Sequence, residues 1–572
     1  MNYQEITQYL QNNGYAAFHE KWNDTHHCLR VRISINGDSY TLLHFCLQEL
    51  SALPTFYLEK LESKLQLAHV MPSKGSDLSL ICVTTSDAVS VNFDVPKLAF
   101  EASLLRHIEL LTKAITDLAW NALELTREFQ ANWSFLCDSK INEFICAAPT
   151  SACALLQVIK PADRRDFGID GSYIGYPSDS GLQDLPAAIR RRQEDSKNQS
   201  QPNGVVIPLG QLGPPPNENN QVRQWLAAAL AGINEDVSSK LREIAKGIRQ
   251  KTFWVILNGE TPSGTGWFGV KLSSDSKKFL PMESASLGAW NITPFVVRVF
   301  DKSIFMPRSG AEPALSHKKV LMVGCGSVGA EIAMKLGASG IGEIDLADPD
   351  ILSWSNTYRH VLPTIFVGCE KAGALAVHLR GQYPWIKCTW GTRRLLEYRD
   401  IEHLKAYDLI VVAIGSPTHE RLFASFIQDN ENTPAVVNSW VEGFGVGGHA
   451  TLSIPEQPGC LNCSYVDNST FDRGLVSNLN FIDKNQDVTR NIAGCGDLFL
   501  PYDSLSASKT AIVASSLALD YLRGRLTESS SMSWKGSADE AMQAGINLTH
   551  RYYHFERSMQ AQPLRHEACD VC

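Results

Sequence analysis

The stretch KVLMVGCGSVGAE at residues 319–331 carries the densest chemical signal in the chain. An apolar β-type run, Val320 to Val323, breaks at Gly324-Cys325-Gly326-Ser327-Val328-Gly329 and then enters a helical pattern. Glycines at the first, third and sixth places permit a tight turn, a close approach of the backbone to phosphate, and close packing of helix on strand. The helix that follows offers unpaired N–H groups and a positive dipole end to an anion. A nucleotide is therefore expected at Gly324, Gly326 and Gly329. The motif by itself does not separate a dinucleotide from ATP, or either from a structural glycine turn.

The residues after the second strand separate them. That strand ends in Asp348-Pro349-Asp350, where a carboxylate accepts hydrogen bonds from ribose hydroxyls in either case. ILSWSNTYRH and VGCEKAGA then place Asn356, Arg359 and Lys371 just beyond that acid. A dinucleotide's two phosphates are largely satisfied by the glycine loop and helix end. A triphosphate carries more charge, and cleavage between its α and β phosphates needs cations on the departing pyrophosphate. Singly, Arg359 and Lys371 read as surface ion pairs. As a spaced set they favour ATP.

G-C-G-S-V-G, D-P-D, S-N-T-Y-R and G-C-E-K, in that order and spacing, resemble the adenylation domain of ubiquitin-activating enzymes and their bacterial ThiF/MoeB relatives. The resemblance covers about residues 316–572. It implies ATP-dependent adenylation of a small protein's C-terminal carboxylate, with Asp348 on the ribose and Asn356, Arg359 and Lys371 around the phosphates. It also implies a homodimer through this domain, with Arg308 the candidate for an arginine supplied across the interface. The family's magnesium-binding aspartate follows the fourth strand. Here DLIVVAIGSPTHER puts Gly415 or Ser416 at that place, which leaves Asp350 or a water-mediated contact to hold Mg2+.

Cysteine supplies the second group of signals. Cys460-Leu461-Asn462-Cys463 and Cys569-Asp570-Val571-Cys572 are two C-x-x-C pairs, each able to present two thiolates from a tight turn. Four thiolates select a closed, structural Zn2+ site. Lying roughly a hundred residues apart, the pairs would clip the chain terminus back onto its domain. A surface dithiol is the alternative; the adenylating family often has such a paired zinc site. Cys495, in NIAGCGDLFLPYDS, lies between glycines in a polar loop ahead of the helical run SASKTAIVASSLALDYL. A thiolate there is suited to take an acyl group from an adenylate as a thioester. A structural turn cysteine and a fifth thiol beside the zinc site are the alternatives.

Elements must position these groups. From 316 onward, strand and helix alternate: VLMVG, helix, GEIDLAD, helix, CTWG, helix, DLIVVAIG, helix, AVVNSWV. That predicts an α/β class with an open, largely parallel, Rossmann-like sheet, to which VGGHATLSI (446–454) adds antiparallel strands. Residues 1–130 predict a small α+β domain. A helix at Tyr3 to Asn12 precedes strands at 28–35, 40–47, 54–59 and 78–85, and a long helical pattern runs over 98–130. Residues 131–315 predict a mixed linker domain with strands LLQVIK, GVVIPLG and KTFWVILNG, a helix at 222–233, and polar, proline-rich loops. No catalytic motif is legible there.

The N-terminal order of helix, strand meander, His/Pro loop, Ile-Cys and helix is similar to the ubiquitin-conjugating fold. HVMPSKGSDLSLICVTT then offers His69 and Cys82 as its active-site residues. His69-Val70-Met71-Pro72 lacks the family's His-Pro-Asn triplet, so the asparagine that supports the oxyanion is missing. A buried core thiol is the alternative reading of Cys82. Joined to an activating domain, this half resembles the fusion proteins of bacterial anti-phage (CBASS) operons. Those fusions join the C-terminus of a cGAS-like nucleotidyltransferase to a target protein or small molecule. The implied route is acyl-adenylate, thioester on Cys495, thioester on Cys82, then amide or ester. Three rivals remain at this point: a ThiF/MoeB-type activator of a sulfur carrier or ubiquitin-like protein, with the N-terminal domain as a binding module; an NAD-dependent oxidoreductase; and an inactive scaffold.

Composition sets outer limits. The chain has 572 residues, 44% hydrophobic and 20% charged, with a net charge of -9, so no nucleic-acid surface is expected. No window reaches the about 18 apolar residues that a membrane span needs. MNYQEITQYLQNNGY lacks a basic region followed by an apolar core, so no signal peptide is expected. Fourteen cysteines without an export signal point to a reducing, cytoplasmic compartment.

Overall fold

The computed structural model describes the chain except for residues 24–25, 47–51, 60–65, 74–75, 84–93, 138–142, 148–151, 162–170, 179–188, 190–201, 283 and 492–497. It divides into two compact units, residues 1–184 with 189–301, and residues 302–572.

The first unit holds two sheets. Strands β1 (Ala16–Lys21), β2 (His27–Ile35), β3 (Asp38–Phe45), β4 (Tyr57–Glu59), β5 (Val70–Pro72) and β6 (Leu78–Ile81) form an antiparallel sheet in the order β1-β2-β3-β4-β6-β5. The β2–β3 hairpin turns at Asn36-Gly37, both at positive φ (54° and 92°), as a two-residue turn matched to strand twist requires. Helix α1 (Tyr3–Asn12), capped by the Asn2 side chain, buries Ile6 and Leu10. Helix α2 (Pro96–Thr116) buries Phe100, Leu104 and Leu111 in the same core.

The helical pattern over 98–130 is not one helix. After α2, the Asp117 side chain accepts the Trp120 N–H at 2.9 Å and starts α3 (Leu118–Arg127). A second break at Glu128 starts α4 (Phe129–Leu136). Propensity and period are continuous across both breaks, so only the side-chain cap at Asp117 marked one of them in the sequence. The breaks matter: α4 sends Phe129 and Trp133 into the core of the other sheet, while Glu124 and Glu128 reach His69.

That other sheet contains β7 (Phe144–Cys146), β8 (Ala154–Ile159), β9 (Tyr173–Pro177), β10 (Gly204–Gln211), β11 (Arg249–Thr261), β12 (Gly264–Phe279), β13 (Asn291–Phe295) and β14 (Val297–Val299). Its order is β13-β12-β11-β10-β8-β9-β7-β14, covered by α5 (Val222–Ala231) and α6 (Glu235–Ile244). The expected strands and helix of this region are present. Their pairing was illegible because neighbours such as β7 and β14 are far apart in sequence.

The second unit is built on β15 (Lys319–Val323), β16 (Glu343–Ala347), β17 (Lys387–Gly391), β18 (Leu409–Val412), β19 (Ala435–Val441), β20 (Gly447–Ser453), a ribbon of β21 (Arg490–Asn491) and β22 (Leu498–Phe499), and β23 (Ser530–Lys535) with β24 (Gln562–Pro563). The main sheet runs β17-β16-β15-β18-β19-β20-β23-β24. Its first five strands are parallel and the rest antiparallel, as the sequence pattern predicts. Helices α7 (Ser327–Ser339), α8 (Lys371–Gln382), α9 (Pro417–Gln428) and α10 (Ser504–Leu522) complete it. The parallel strands read as apolar runs because both faces are covered; Val320 to Met322 and Leu409 to Val412 are at most 1% exposed. Among the described residues no helix is long and apolar enough to cross a membrane.

Candidate functional site

The carboxyl ends of the parallel strands open onto a cavity of about 940 Å³. Gly324, at φ +93°, makes the turn out of β15, and a side chain there would meet the Ala413 carbonyl at 2.5 Å. Gly329 lets α7 lie on the loop, since a Cβ would stand 1.9 Å from the Gly324 carbonyl. At Gly326 a Cβ would meet nothing within 4 Å. The protein does not need glycine there; bare backbone facing the cavity does.

Asp348, at the end of β16, is buried, and both its oxygens are engaged. Oδ2 accepts the Cys325 N–H at 2.6 Å and Oδ1 accepts the Asp350 N–H at 2.7 Å. From the other side, His360 Nε2 donates to the Cys325 carbonyl at 2.9 Å, while its Nδ1 accepts the Leu362 N–H at 3.2 Å. Burial lowers the His360 pKa and keeps the ring neutral, as that pair of bonds requires. The glycine loop is thus held at its middle residue by an acid and a histidine.

The cations converge on the same cavity. Lys371, the first residue of α8, has its side chain 12% exposed and donates to Asp350 Oδ2 at 2.9 Å. Arg359 lies over the Tyr502 ring at 4.7 Å, and the Tyr502 hydroxyl bonds Ser327 Oγ at 2.8 Å. Asn356 accepts from the Ser353 N–H at 3.1 Å, which fixes its amide at the rim. All five residues from Asp348 to Lys371 that the sequence singles out line the cavity. Arg308 does not. It sits exposed on the short helix Lys302–Arg308.

The cavity also has walls that sequence reasoning missed: Arg393, Glu420, Glu442 and Tyr502. Glu420 lies one turn into α9, behind Gly415 and Ser416. Its Oε1 accepts the Ser416 N–H at 3.2 Å, and burial pushes its carboxyl up to about 7. No motif flags it; only the expected acid missing at 415–416 could have prompted a search one turn later. A folded-state value above the ordinary one means stability falls as pH rises from the unfolded value to about 7. Glu420→Gln, neutral and of equal size, removes that loss. Its melting temperature should exceed the parent's at pH 8 by a gap worth about 3 kcal/mol and match it near pH 4.5.

Glu442 is a strut. It accepts the Phe481 N–H at 2.6 Å, the Ile482 N–H at 2.8 Å and His449 Nε2 at 2.7 Å, and so holds the segment whose residues 482–486 line the cavity's far end.

The two C-x-x-C pairs meet. Sγ of Cys460 lies 3.9 Å from Cys569, Cys463 lies 3.3 Å from Cys572, and Cys569 lies 3.7 Å from Cys572. All four sulfurs fall within 4.8 Å of one another. Thiolates at about 2.3 Å from a tetrahedral zinc stand about 3.8 Å apart, whereas a disulfide needs about 2.05 Å. The donor set and spacing fit a metal ion. Around it, Asn478 Nδ2 donates to the Cys463 and Val466 carbonyls, and Arg473 pairs with Asp570.

In the first unit, His69 and Cys82 are brought together: the Cys82 N–H donates to the His69 carbonyl at 2.9 Å. Cys82 is partly exposed, intermediate between a core and a surface thiol. Cys495 lies outside the described residues.

Residues 303–571 match the ThiF family. Among curated relatives, the ATP-dependent ubiquitin transferase-like protein Cap2 of Escherichia coli (strain TW11681) is 27% identical over 36% of this chain and 35% of its own length. Cap2 of Vibrio cholerae serotype O1 is 23% identical over 71% of this chain and 72% of its own. The adenylyltransferase and sulfurtransferase UBA4 of Debaryomyces hansenii is 28% identical over 29% of this chain and 37% of its own. The chain thus spans about a third of the first of these relatives. A solved structure of the Microcin C7 biosynthetic enzyme MccB with N-formylated MccA superposes at a TM-score of 0.32 and 19% identity, covering 45% of this chain and 68% of that one. The Vibrio match, at 71% of the chain, is longer than residues 303–572 and so extends well ahead of them. The C-terminal unit thus carries a ThiF-family domain, and the chain is similar, over that domain and beyond it, to proteins named ubiquitin transferase-like.

Proposed function

We propose that this protein activates the C-terminal carboxylate of a protein substrate with ATP and conjugates it through cysteine thioesters. The observation that carries the reading is the convergence of a bare-backbone glycine loop, Asp348, Asn356, Arg359 and Lys371 on one cavity. The loop amides and the α7 N-terminus take phosphate, and Asp348 still has lone pairs for ribose hydroxyls. Arg359 and Lys371 stabilise the charge that gathers on pyrophosphate as the substrate carboxylate attacks the α-phosphorus. Asp350, 65% exposed and paired with Lys371, would be the carboxylate to hold Mg2+, which would share that neutralisation. Zn2+ in the four-cysteine cluster would be structural, since no coordination position is left open.

The acyl group then passes to Cys495 and on to Cys82. The domain division that goes with this reading is a conjugating domain at 1–130, a linker domain at 131–315 and the activating domain at 316–572. A homodimer through the last domain would bring Arg308 to the partner's cavity. A cGAS-like nucleotidyltransferase is the acyl protein that the CBASS resemblance suggests, in the cytoplasm. The UBA4 match favours a second reading, activation of a sulfur carrier or ubiquitin-like protein without the N-terminal cysteine.

One experiment separates them. Cys82→Ser, expressed beside its genomic neighbours, should gain the mass of a whole neighbouring protein as an oxyester that survives thiols. The adduct should vanish in Cys495→Ala or Arg359→Ala. A thiol-sensitive adduct on Cys495 with none on Ser-substituted position 82 would instead give the lead to the sulfur-carrier reading.

A further inference from the structure

His69 is held more elaborately than a loop histidine needs. Glu128 grips it twice, accepting from Nδ1 at 2.8 Å and from the backbone N–H at 3.3 Å. Nearby, Asn121 takes the Ala68 N–H at 2.8 Å and donates to the Gln66 carbonyl at 2.8 Å, so α3 fixes the whole approach to the residue. His69 itself stands at φ +61°, a left-handed conformation that a β-carbon disfavours. Its carbonyl takes the Cys82 N–H, which continues the Val70↔Ile81 pairing of β5 with β6 and makes His69 and Cys82 cross-strand neighbours.

The charges around the ring come from α3 and the break after it, with Lys113 of α2 beyond them. Glu128 engages Nδ1. Glu124 lies 3.6 Å from Nε2, too far for a hydrogen bond, and is itself tied to Arg127 at 2.6 Å. Trp120 packs against the ring, with Lys113 over its indole at 4.5 Å. The Glu128 hydrogen bond, ahead of burial, raises the His69 pKa, and the charge of Glu124 adds to it. By contrast the Cys82 thiol is pushed up, first by burial and then by Glu128. The pair is therefore not a thiolate–imidazolium nucleophile. It is a thiol on the cross-strand neighbour of a histidine whose ring Glu128 holds at Nδ1, leaving Nε2 without a hydrogen bond shorter than 3.5 Å among the described residues.

We propose that His69, oriented by Glu128, donates from Nε2 to the oxyanion formed when an amine attacks an acyl group on Cys82. This rests on the reading of Cys82 as an acyl carrier. An amine nitrogen bonds the thioester carbonyl carbon, and the carbonyl π pair moves onto oxygen, where the Nε2–H meets it. Collapse restores C=O and breaks C–S, the sulfur leaves with the pair, and the ammonium proton passes to it through water. His69 thereby supplies the donor that the absent asparagine does not, and Glu128 is a positioning residue acting through it.

The test uses the full chain and a small probe. Cys82 is acylated with an N-acetylglycyl benzyl thioester, and its discharge to methoxyamine, unprotonated from pH 6 to 9, is followed by peptide mass. Discharge should weaken as pH rises through the His69 pKa. Glu128→Gln should move that alkaline limb down toward the ordinary imidazole value, and His69→Ala should abolish it while slowing discharge about 100-fold. His69→Gln, which keeps a neutral N–H donor, should retain an intermediate rate without the limb. A flat alkaline side in the parent, or a Glu128→Gln profile lowered equally at every pH, overturns the proposal. Because the probe bypasses adenylation, these outcomes are independent of whether an ATP-driven adduct ever reaches residue 82.

Discussion

Arg359→Ala should lower ATP–pyrophosphate exchange, driven by the acyl protein recovered from the Cys82→Ser adduct, by about 100- to 1000-fold. The size follows from where the guanidinium stands. It is a cation at a cavity wall, its Cζ 4.7 Å from the Tyr502 ring centroid, so that the ring holds it in place before the nucleotide arrives. A preoriented donor loses little on binding and acts where phosphate charge accumulates. Arg359→Lys keeps the charge but loses the planar fork and the stack, so an intermediate loss is expected. Melting temperature should hardly move, because the residue is bound into no core. Exchange within threefold of the parent would remove Arg359 from the phosphate site and with it the main support for ATP chemistry.

The second large effect concerns the cysteine cluster. Cys460 and Cys463 are at most 1% exposed, and their partners come from the far end of the chain. A metal ion there would close a long loop and neutralise the thiolates that hold it. Chelation, or Cys463→Ser, should cost the C-terminal unit several kcal/mol, lowering its melting temperature by roughly 10 °C. Metal analysis of the untreated protein should find one zinc per chain. A melting curve unchanged by chelator, with no zinc recovered, would turn the cluster into a set of free thiols.

Much of the C-terminal unit was legible because its signals are local. The glycine spacing, the acid at the end of the second strand and the two C-x-x-C pairs each state a geometry within a few residues, and all reappear in place. Other features were not, for identifiable reasons. The carboxylates on His69 come from a helix about 55–60 residues away, and nothing in their local pattern marks them. The sheet around β10 pairs strands whose neighbours are distant in sequence, so pattern found the strands and not the partners. Glu420 was hidden for another reason: its burial, not its spelling, makes it distinctive.

Asp348 has a bearing on how nucleotide recognition is to be dissected. The carboxylate proposed to take the ribose hydroxyls also ties the Cys325 amide, and through it the glycine loop, so on that proposal one residue is both reader and rivet. Any substitution there deforms the phosphate cradle along with the sugar contact, and a dead variant would say nothing about which was lost. The informative edit is on the other molecule: 2′-deoxy and 3′-deoxy ATP delete one hydroxyl at a time while leaving the loop as it stands.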